Sequence, residues 1–126
     1  RVVNGVAESV HRLDQLPRLL VRLQKLLDSR SIRKIELSVC EGHQLIIPVR
    51  HIERPDQLKS VEWQHVMAAL KTLAADSPAF NFGVNSGADA GQSIPHCHFH
   101  FIPRRAGDVL DPFGGIRNVI PGKGRY

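Results

Sequence analysis

The amino-acid sequence predicts an α+β fold, with a mostly antiparallel sheet of about five strands and two main helices packed on it. Two observations indicate this fold: leucines recur at helical spacing early in the chain, and later segments alternate apolar with polar residues. The 126 residues contain no repeat, low-complexity tract or linker, so we expect a single domain over residues 1–126.

Two stretches have the apolar spacing of amphipathic helices. Between residues 16 and 30 a leucine returns every three or four positions, and Pro17 suits the first turn. From Pro55 to Asp76 the apolar residues again recur at helical spacing. Each stretch is typical of a helix that packs one face against a sheet.

The strands are predicted from alternation and from the small residues that interrupt it. Residues 35–39 alternate, Gly42 breaks the run, and residues 45–49 form a second apolar segment, so we expect two strands joined by a tight turn. Residues 80–84 alternate again. The small residues at 85–91 then predict a loop that leads into the segment 95–101.

Charge and cysteine content limit the classes of function. Seventeen Lys and Arg residues against twelve Asp and Glu residues give a formal charge of +5, which attracts phosphate-bearing ligands without choosing among them. Cys40 and Cys97 form no Cys-x-x-Cys pair, so neither a disulfide framework nor a thiolate zinc site is predicted, and a reducing cytoplasm is favoured. We expect no signal peptide and no membrane span.

Three histidines alternate with apolar residues late in the chain. The histidines are His96, His98 and His100, and the residues after each of them are Cys97, Phe99 and Phe101. On a strand from Pro95 onward, all three imidazoles would project from one face and the apolar side chains from the other. A helix would split both sets, so the spacing itself favours a strand.

Such an imidazole cluster has two chemical uses that the spacing does not separate. Neutral imidazoles bind metals such as zinc with an open coordination position. They also supply a nucleophile and proton donors near neutral pH. Simple surface or core decoration is the third interpretation, and the strict alternation with bulky apolar residues argues against it.

The residues around these histidines resemble a known family. Residues 91–104 are similar to the signature of the histidine triad (HIT) family of nucleotide hydrolases and transferases, His-φ-His-φ-His-φ-φ with φ apolar, if Cys97 counts as a small apolar residue. Residues 41–51 resemble the family's upstream strand, and residues 85–87 stand where its phosphate-side loop is expected. The resemblance covers residues 41–104 and implies a HIT-like fold.

The two ends of the chain relate to this family differently. Residues 111–121 are similar to tails in the branch of dinucleoside polyphosphate hydrolases, such as those of diadenosine tetraphosphate. Residues 1–40 are atypical, because a leucine-rich helix stands where the family has an early hairpin that helps to enclose the base and ribose.

The resemblance implies a role for each matched side chain. His98 would be the nucleophile, His100 would donate a hydrogen bond to the α-phosphate, and His96 would fix the tautomer of His98 through its backbone carbonyl. His43 would be a fourth catalytic histidine that connects to the triad by hydrogen bonding. The implied substrate-binding residues are Ser93, Gln92, Asn85 and Gly91. The histidines left outside the site are His11, His51 and His65.

The implied function is hydrolysis of dinucleoside polyphosphates or related nucleotidyl conjugates at the α-phosphate, through a covalent nucleotidyl-histidine intermediate. A phosphoramidase or nucleotidyl transferase, a non-catalytic nucleotide-binding protein and a His-ligated metal protein are the alternatives. We expect no obligatory cofactor, although Mg²⁺ would accompany the polyphosphate. The expected partners are the small nucleotide and a second copy in a homodimer, with no membrane and no nucleic acid.

Overall fold

An antiparallel sheet of four strands organises the residues that the structure describes. A computed structural model of the chain describes residues 31–36 and 40–125. The strands are β1 (Ile32–Glu36), β2 (Gln44–Pro48), β3 (Phe80–Val84) and β4 (Phe99–Pro103), in the spatial order β1-β2-β4-β3. The predicted α+β class is confirmed, with four strands in the described ranges where about five were predicted.

Two parts of the sequence prediction lie outside the described residues. One is the predicted helix over residues 16–30, and the other is the end of the first predicted strand, residues 37–39. The described strand β1 begins at Ile32, three residues before the predicted start, and pairs antiparallel with β2 from Ile32 opposite Pro48 to Glu36 opposite Gln44. The pair of antiparallel strands before and after Gly42 is therefore confirmed, with the start of the first strand corrected to Ile32.

The pairing of β2 with β4 lies at the centre of the sheet. Leu45 is directly opposite His100 and Ile46 is opposite Phe99. On the other side of β4, Gly83 of β3 is opposite His100. Because opposed residues of antiparallel strands project to the same face, Leu45, His100 and Gly83 share one face. We call this face the imidazole face.

The opposite face carries the hydrophobic core. Phe99 is 2% exposed, its ring stacks on that of Phe82 with centroids 5.5 Å apart, and the edge of the Trp63 ring contacts it at the same distance. The other buried members of this core cluster are Ile32, Ile46, Ile52, Leu58, Val66, Ala69 and Cys97. The prediction that Cys97, Phe99 and Phe101 are core residues is confirmed, since all three are buried.

The helix predicted over residues 55–76 is shorter than expected. It is divided into a 3₁₀ turn (Pro55–Gln57) and helix α1 (Ser60–Ala74). The two elements are separated because Leu58 and Lys59 have extended backbones, and this conformation accompanies burial of Leu58 in the core. Helix α1 then packs Val66 and Ala69 against the sheet.

One buried carboxylate joins the start of α1 to the end of β2. Glu62, 3% exposed, accepts a hydrogen bond from the backbone N–H of Lys59 at 2.8 Å. It also accepts one from the Arg50 guanidinium at 2.8 Å, and Arg50 donates to the carbonyl oxygen of Gln57 at 2.7 Å. The hydrogen bond from Arg50 lowers the pKa of the Glu62 carboxyl group. Glu62 is therefore a charged anchor for the segment between the two elements.

After β4 the chain forms turns and a 3₁₀ segment (Gly115–Val119). Arg104 donates to Asp108 at 2.7 Å and to Asn81 at 2.7 Å, and these contacts hold the first turn against β3. Within residues 31–36 and 40–125, the structure contains no helix with the length and apolar character needed to cross a membrane.

We expect the substitution Glu62→Gln to lower the free energy of unfolding at pH 7 by about 1–3 kcal/mol, because a charge-assisted hydrogen bond from Arg50 is lost. The folded pKa of Glu62 is depressed, so its contribution is present above the unfolded pKa of about 4.3 and disappears as pH falls through the folded value. The difference between wild type and variant should therefore shrink in acid.

Urea denaturation at pH 7, 5 and 3.5 measures this difference. The control is Asp56→Asn, which removes the exposed ion pair with Arg54 and should change the free energy of unfolding at pH 7 much less than Glu62→Gln does, because solvent screens that pair. A Glu62→Gln variant as stable as wild type at pH 7 would contradict the role assigned to this anchor.

Candidate active site

The three histidines of the triad do not all lie in the strand. β4 begins at Phe99, so His96 and His98 precede it, and the prediction of a strand from Pro95 is wrong in its start. The cause is a turn: His96 N–H donates to the carbonyl of Ile94 at 2.9 Å, and Cys97 N–H donates to that of Ile52 at 2.7 Å.

The rings of His98 and His100 are neighbours, whereas that of His96 has other partners. The His98 and His100 ring centroids are 5.2 Å apart in an edge-to-face arrangement. The His96 ring instead contacts the carbonyl oxygen of Pro48 and the ring of His51. The single row of three imidazoles that alternation predicts is therefore wrong: the rings of His98 and His100 form a pair, and the His96 ring contacts Pro48 and His51 instead.

The tautomer of His98 follows from its hydrogen-bond partner. Nδ1 of His98 lies 2.8 Å from the backbone oxygen of His96, and the ring is 5% exposed. A carbonyl oxygen only accepts, so Nδ1 carries the hydrogen and, in a neutral ring, Nε2 carries a lone pair. The predicted contact between His98 and the His96 carbonyl is confirmed, and it leaves Nε2 without a hydrogen in the neutral ring.

His43 is placed beside this pair by the turn before β2. The turn requires Gly42, because its φ is +82° and a Cβ there would lie 3.1 Å from Cγ of Pro103. The next residue, His43, is 3% exposed, and its Nε2 lies 3.1 Å from Nδ1 of His100. The predicted hydrogen bond between His43 and the triad is confirmed.

The direction of the bond between His43 and His100 can be assigned. Nδ1 of His43 is buried and has no hydrogen-bond partner among the described residues. A buried acceptor without a partner is less unfavourable than a buried N–H without one, so Nδ1 is the unprotonated nitrogen and Nε2–H donates to His100. In a neutral His100 ring the hydrogen is then on Nε2, where it is available to a ligand.

Burial keeps the imidazole rings of His43, His96 and His100 neutral. It lowers the pKa values of His43 and His96 below the usual range, and for His96 the neighbouring His51 and His98 add to the effect. Burial, together with His98 and His43, lowers the pKa of His100 to about 4. These three rings are therefore uncharged hydrogen-bonding groups near pH 7.

His51, which the sequence interpretation leaves outside the site, contacts it. Nδ1 of His51 lies 3.0 Å from Nδ1 of His96, while Nε2 of His96 lies 2.8 Å from the carbonyl oxygen of Pro48. His96 must donate through Nε2, so its Nδ1 accepts from Nδ1–H of His51 when the ring is neutral. Sequence spacing gave no signal for this contact, because His51 lies beyond the end of β2, where strand alternation no longer applies.

The loop between β3 and the triad contains the predicted substrate-binding residues. Gln92 is engaged within the protein: its Oε1 accepts from Gly87 N–H at 2.8 Å, and its Nε2 donates to the carbonyls of Glu53 and Ile94 at 2.9 and 3.0 Å. Both amide hydrogens are used, so the structure gives Gln92 a part in shaping the loop. The predicted contact of Gln92 with phosphate stays a prediction. It would require the Gln92 amide to give up one of these hydrogen bonds for one to a phosphate oxygen.

The side chains of Asn85 and Ser93 are positioned differently. The β3–β4 ladder ends where Val84 is opposite Phe99, and Asn85 is the first residue of the loop after β3. Ser93 is exposed, and none of the side-chain hydrogen bonds found in the described part of the chain involves Asn85 or Ser93. Gly91 has a φ of +85°, and a Cβ there would meet no atom within 4 Å. Their predicted roles in binding stay predictions.

His65 lies on α1, where its Nδ1 is 2.6 Å from Oγ of Ser31, and His11 is outside the described residues. Across residues 31–36 and 40–125, no group of three or more His, Cys, Asp or Glu side chains is arranged to hold a metal ion. Burial raises the pKa of the Cys97 thiol to about 11, so it is protonated in the core.

The family follows from comparison with known sequences. The family model of the HIT domain matches residues 24–107 of this chain. The protein belongs to the HIT (histidine triad) family. The match contains the whole of the site described above, and it begins within the stretch that the motif comparison treats as atypical, residues 1–40.

Two similar sequences and one similar structure illustrate the relationship. An uncharacterized HIT-like protein of Methanocaldococcus jannaschii is 37% identical over 87 residues, which are 63% of this chain and 66% of that protein. The asymmetrical bis(5'-nucleosyl)-tetraphosphatase of Schizosaccharomyces pombe is 33% identical over 79 residues, or 58% of this chain and 43% of the enzyme. The crystal structure of a HIT family protein from Bacillus anthracis is 27% identical, with a TM-score of 0.56, and the match covers 64% of this chain and 63% of that one. This chain therefore spans less than two thirds of these relatives.

We expect His100 to stay neutral down to about pH 4 in the folded protein. Its pKa is lowered from an unfolded value of about 6.5, so the unfolded chain binds the proton first and stability falls as pH drops from about 6.5 toward 4. Histidine ¹⁵N chemical shifts followed between pH 8 and pH 4 measure this directly. A His100 ring that titrates near pH 6.5 would contradict the neutral hydrogen-bonded pair with His43.

We expect His51→Leu to lower kcat about fivefold with little change in KM, because the loss of one hydrogen bond, worth about 1 kcal/mol, loosens His96 and the carbonyl that orients His98. His51→Asn retains an N–H donor and should restore most of the activity. The ¹⁵N shifts of His98 report the tautomer in both variants. Identical rates and shifts in wild type and His51→Leu would show that His51 has no positioning role.

Proposed function

We propose that this protein hydrolyses dinucleoside polyphosphates or related nucleotidyl conjugates at the α-phosphate, through a nucleotidyl group held covalently on His98. The observation that carries the proposal is the hydrogen bond from His98 Nδ1–H to the His96 carbonyl oxygen at 2.8 Å. It holds the ring in the tautomer with a nucleophilic Nε2. The name of the S. pombe relative, a bis(5'-nucleosyl)-tetraphosphatase, supports the substrate class.

The proposed reaction has two displacements. In the first, Nε2 of His98 forms a bond to the α-phosphorus while the bond from that phosphorus to the bridging oxygen breaks, and the remaining polyphosphate leaves. In the second, water forms a bond to the α-phosphorus and the bond to Nε2 breaks, which releases the nucleoside monophosphate. Two easier steps replace one difficult displacement.

Neutral donors around His98 support both steps. The assigned tautomer of His100 gives an Nε2–H that suits a non-bridging oxygen of the α-phosphate, where charge increases in the transition state. Ser93, which is exposed in the loop before the triad, would donate its hydroxyl to the bridging oxygen, and Asn85 would hold a phosphate oxygen. We also propose that the protein is a homodimer and that Mg²⁺ arrives bound to the polyphosphate.

We expect His98→Ala to lower kcat for diadenosine tetraphosphate by on the order of 10³-fold or more, because no other group takes over the nucleophile's role. Nucleotide binding measured by calorimetry should be retained. His65→Ala is the matched control, since His65 lies on α1 and its partner is Ser31. His98→Ala with wild-type turnover would refute the nucleophile assignment.

Two measurements separate the other candidate functions. Comparison of kcat/KM for diadenosine tetraphosphate and for adenosine 5′-phosphoramidate distinguishes a polyphosphate hydrolase from a phosphoramidase, because the two substrates differ in the leaving group. Elemental analysis of the purified protein tests the metal interpretation: stoichiometric zinc that is lost together with activity on chelation would contradict the proposed mechanism. Nucleotide binding without any turnover would indicate a non-catalytic binding protein.

A further inference from the structure

The C-terminal 3₁₀ segment lies against β3 on the imidazole face. Gly83 shares that face with His100, because the two residues are directly opposed in the β3–β4 ladder. A Cβ placed on Gly83 would lie 3.9 Å from Cδ1 of Ile116, at van der Waals distance. A Cβ placed on Gly115 would lie 3.3 Å from Nδ2 of Asn81, two residues before Gly83. Ile116 therefore packs on β3, one strand away from His100.

Residues 111–125 form a closed loop that presents Ile116. The two ends of the loop are joined by Arg125, which donates to Asp111 at 2.6 Å. The Arg125 guanidinium also lies over the ring of Phe113, 4.4 Å from its centroid, and Asn118 donates to the Phe113 carbonyl at 3.0 Å. These contacts within residues 111–125 fix the conformation of the loop, and with it the position of Ile116 against β3.

The surface of this loop is both apolar and basic. Ile116 is 56% exposed and Phe113 is 50% exposed, so each keeps apolar surface that a ligand could cover. The loop contains three basic side chains, Arg117, Lys123 and Arg125, and one acidic side chain, Asp111, which is paired with Arg125, so its net charge is +2. Such a surface attracts a ligand that combines phosphate groups with an apolar ring system.

We propose that residues 111–125 form the wall of the active site that receives the leaving group, with Ile116 as its specificity-determining residue. The inference rests on the proposed function. The nucleotidyl group retained on His98 would carry charge only at its α-phosphate, whereas a leaving polyphosphate carries all the other phosphates. The basic loop therefore matches the leaving group, and its apolar side chains match a nucleoside at the far end.

The experiment compares two substrates that deliver the same adenylyl group to His98. Diadenosine tetraphosphate has a large leaving group, and adenosine 5′-phosphoramidate releases only ammonia. We expect Ile116→Ala to lower kcat/KM for diadenosine tetraphosphate about tenfold, the lower end of the effect of a missing apolar contact in a binding pocket. The rate on the phosphoramidate should not change, so the ratio of the two constants falls about tenfold as well.

A second variant and a control make the result specific. Gly83→Val places a branched side chain where Ile116 packs, and should produce the same selective loss without any change in the loop sequence. Val61→Ala removes a half-exposed apolar side chain of similar size from α1, and should leave both substrates unaffected. Thermal unfolding of each variant measures whether the loop substitutions alter the stability of the fold.

The outcomes separate this inference from the function on which it rests. If wild type hydrolyses both substrates and Ile116→Ala and Gly83→Val leave the ratio unchanged, or lower both rates equally, the wall assignment is wrong and the proposed function stands. If wild type hydrolyses neither substrate, the proposed function is wrong and the wall assignment is rejected with it. A selective loss in both variants supports the wall.

Discussion

The antiparallel pairing of β2 with β4 is the contact on which both the fold and the site depend. It sets Ile46 opposite Phe99 on the core face and Leu45 opposite His100 on the imidazole face. A slip of one residue would expose Phe99 and turn His100 into the core. Burial of a large apolar side chain contributes roughly 1.5–3 kcal/mol, so the core residues oppose such a slip and thereby fix the position of the imidazoles.

Hydrogen bonds to backbone carbonyl groups explain how several histidine rings are tolerated inside the protein. His43, His96 and His98 are each at most 5% exposed, and a buried polar group without a partner costs about 1–3 kcal/mol. Backbone carbonyl groups remove most of that cost, since Pro48 accepts from His96 and His96 accepts from His98. The hydrogen bonds that make burial possible also select the tautomers, so the chemistry of the rings is a consequence of how the fold accommodates them.

The sequence predicted those features that depend on local pattern. The apolar alternation of Cys97, Phe99 and Phe101 located the core face, and the resemblance to the histidine triad family indicated His43 together with the triad. It could not place the ring of His96, because a turn at Ile94 and a hydrogen bond from Cys97 to Ile52, a residue distant in sequence, end the strand before that position. His51 was missed for a related reason: its contact depends on how the chain leaves β2 after Pro48, which no periodicity describes.

The histidine rings of the candidate site are neutral, whereas the net positive charge of the molecule lies outside them. The lowered pKa values of His43, His96 and His100 keep the rings neutral, so the net charge of +5 resides in Lys and Arg side chains elsewhere. Cationic rings would bind the phosphates of the ground state and of the transition state with similar strength, and such uniform binding does not raise kcat. Neutral N–H donors gain most where charge develops in the transition state, while the basic groups outside the histidine cluster attract the anion by electrostatics. For the proposed polyphosphate substrate, this separation would allow attraction to the site without tight retention of the product.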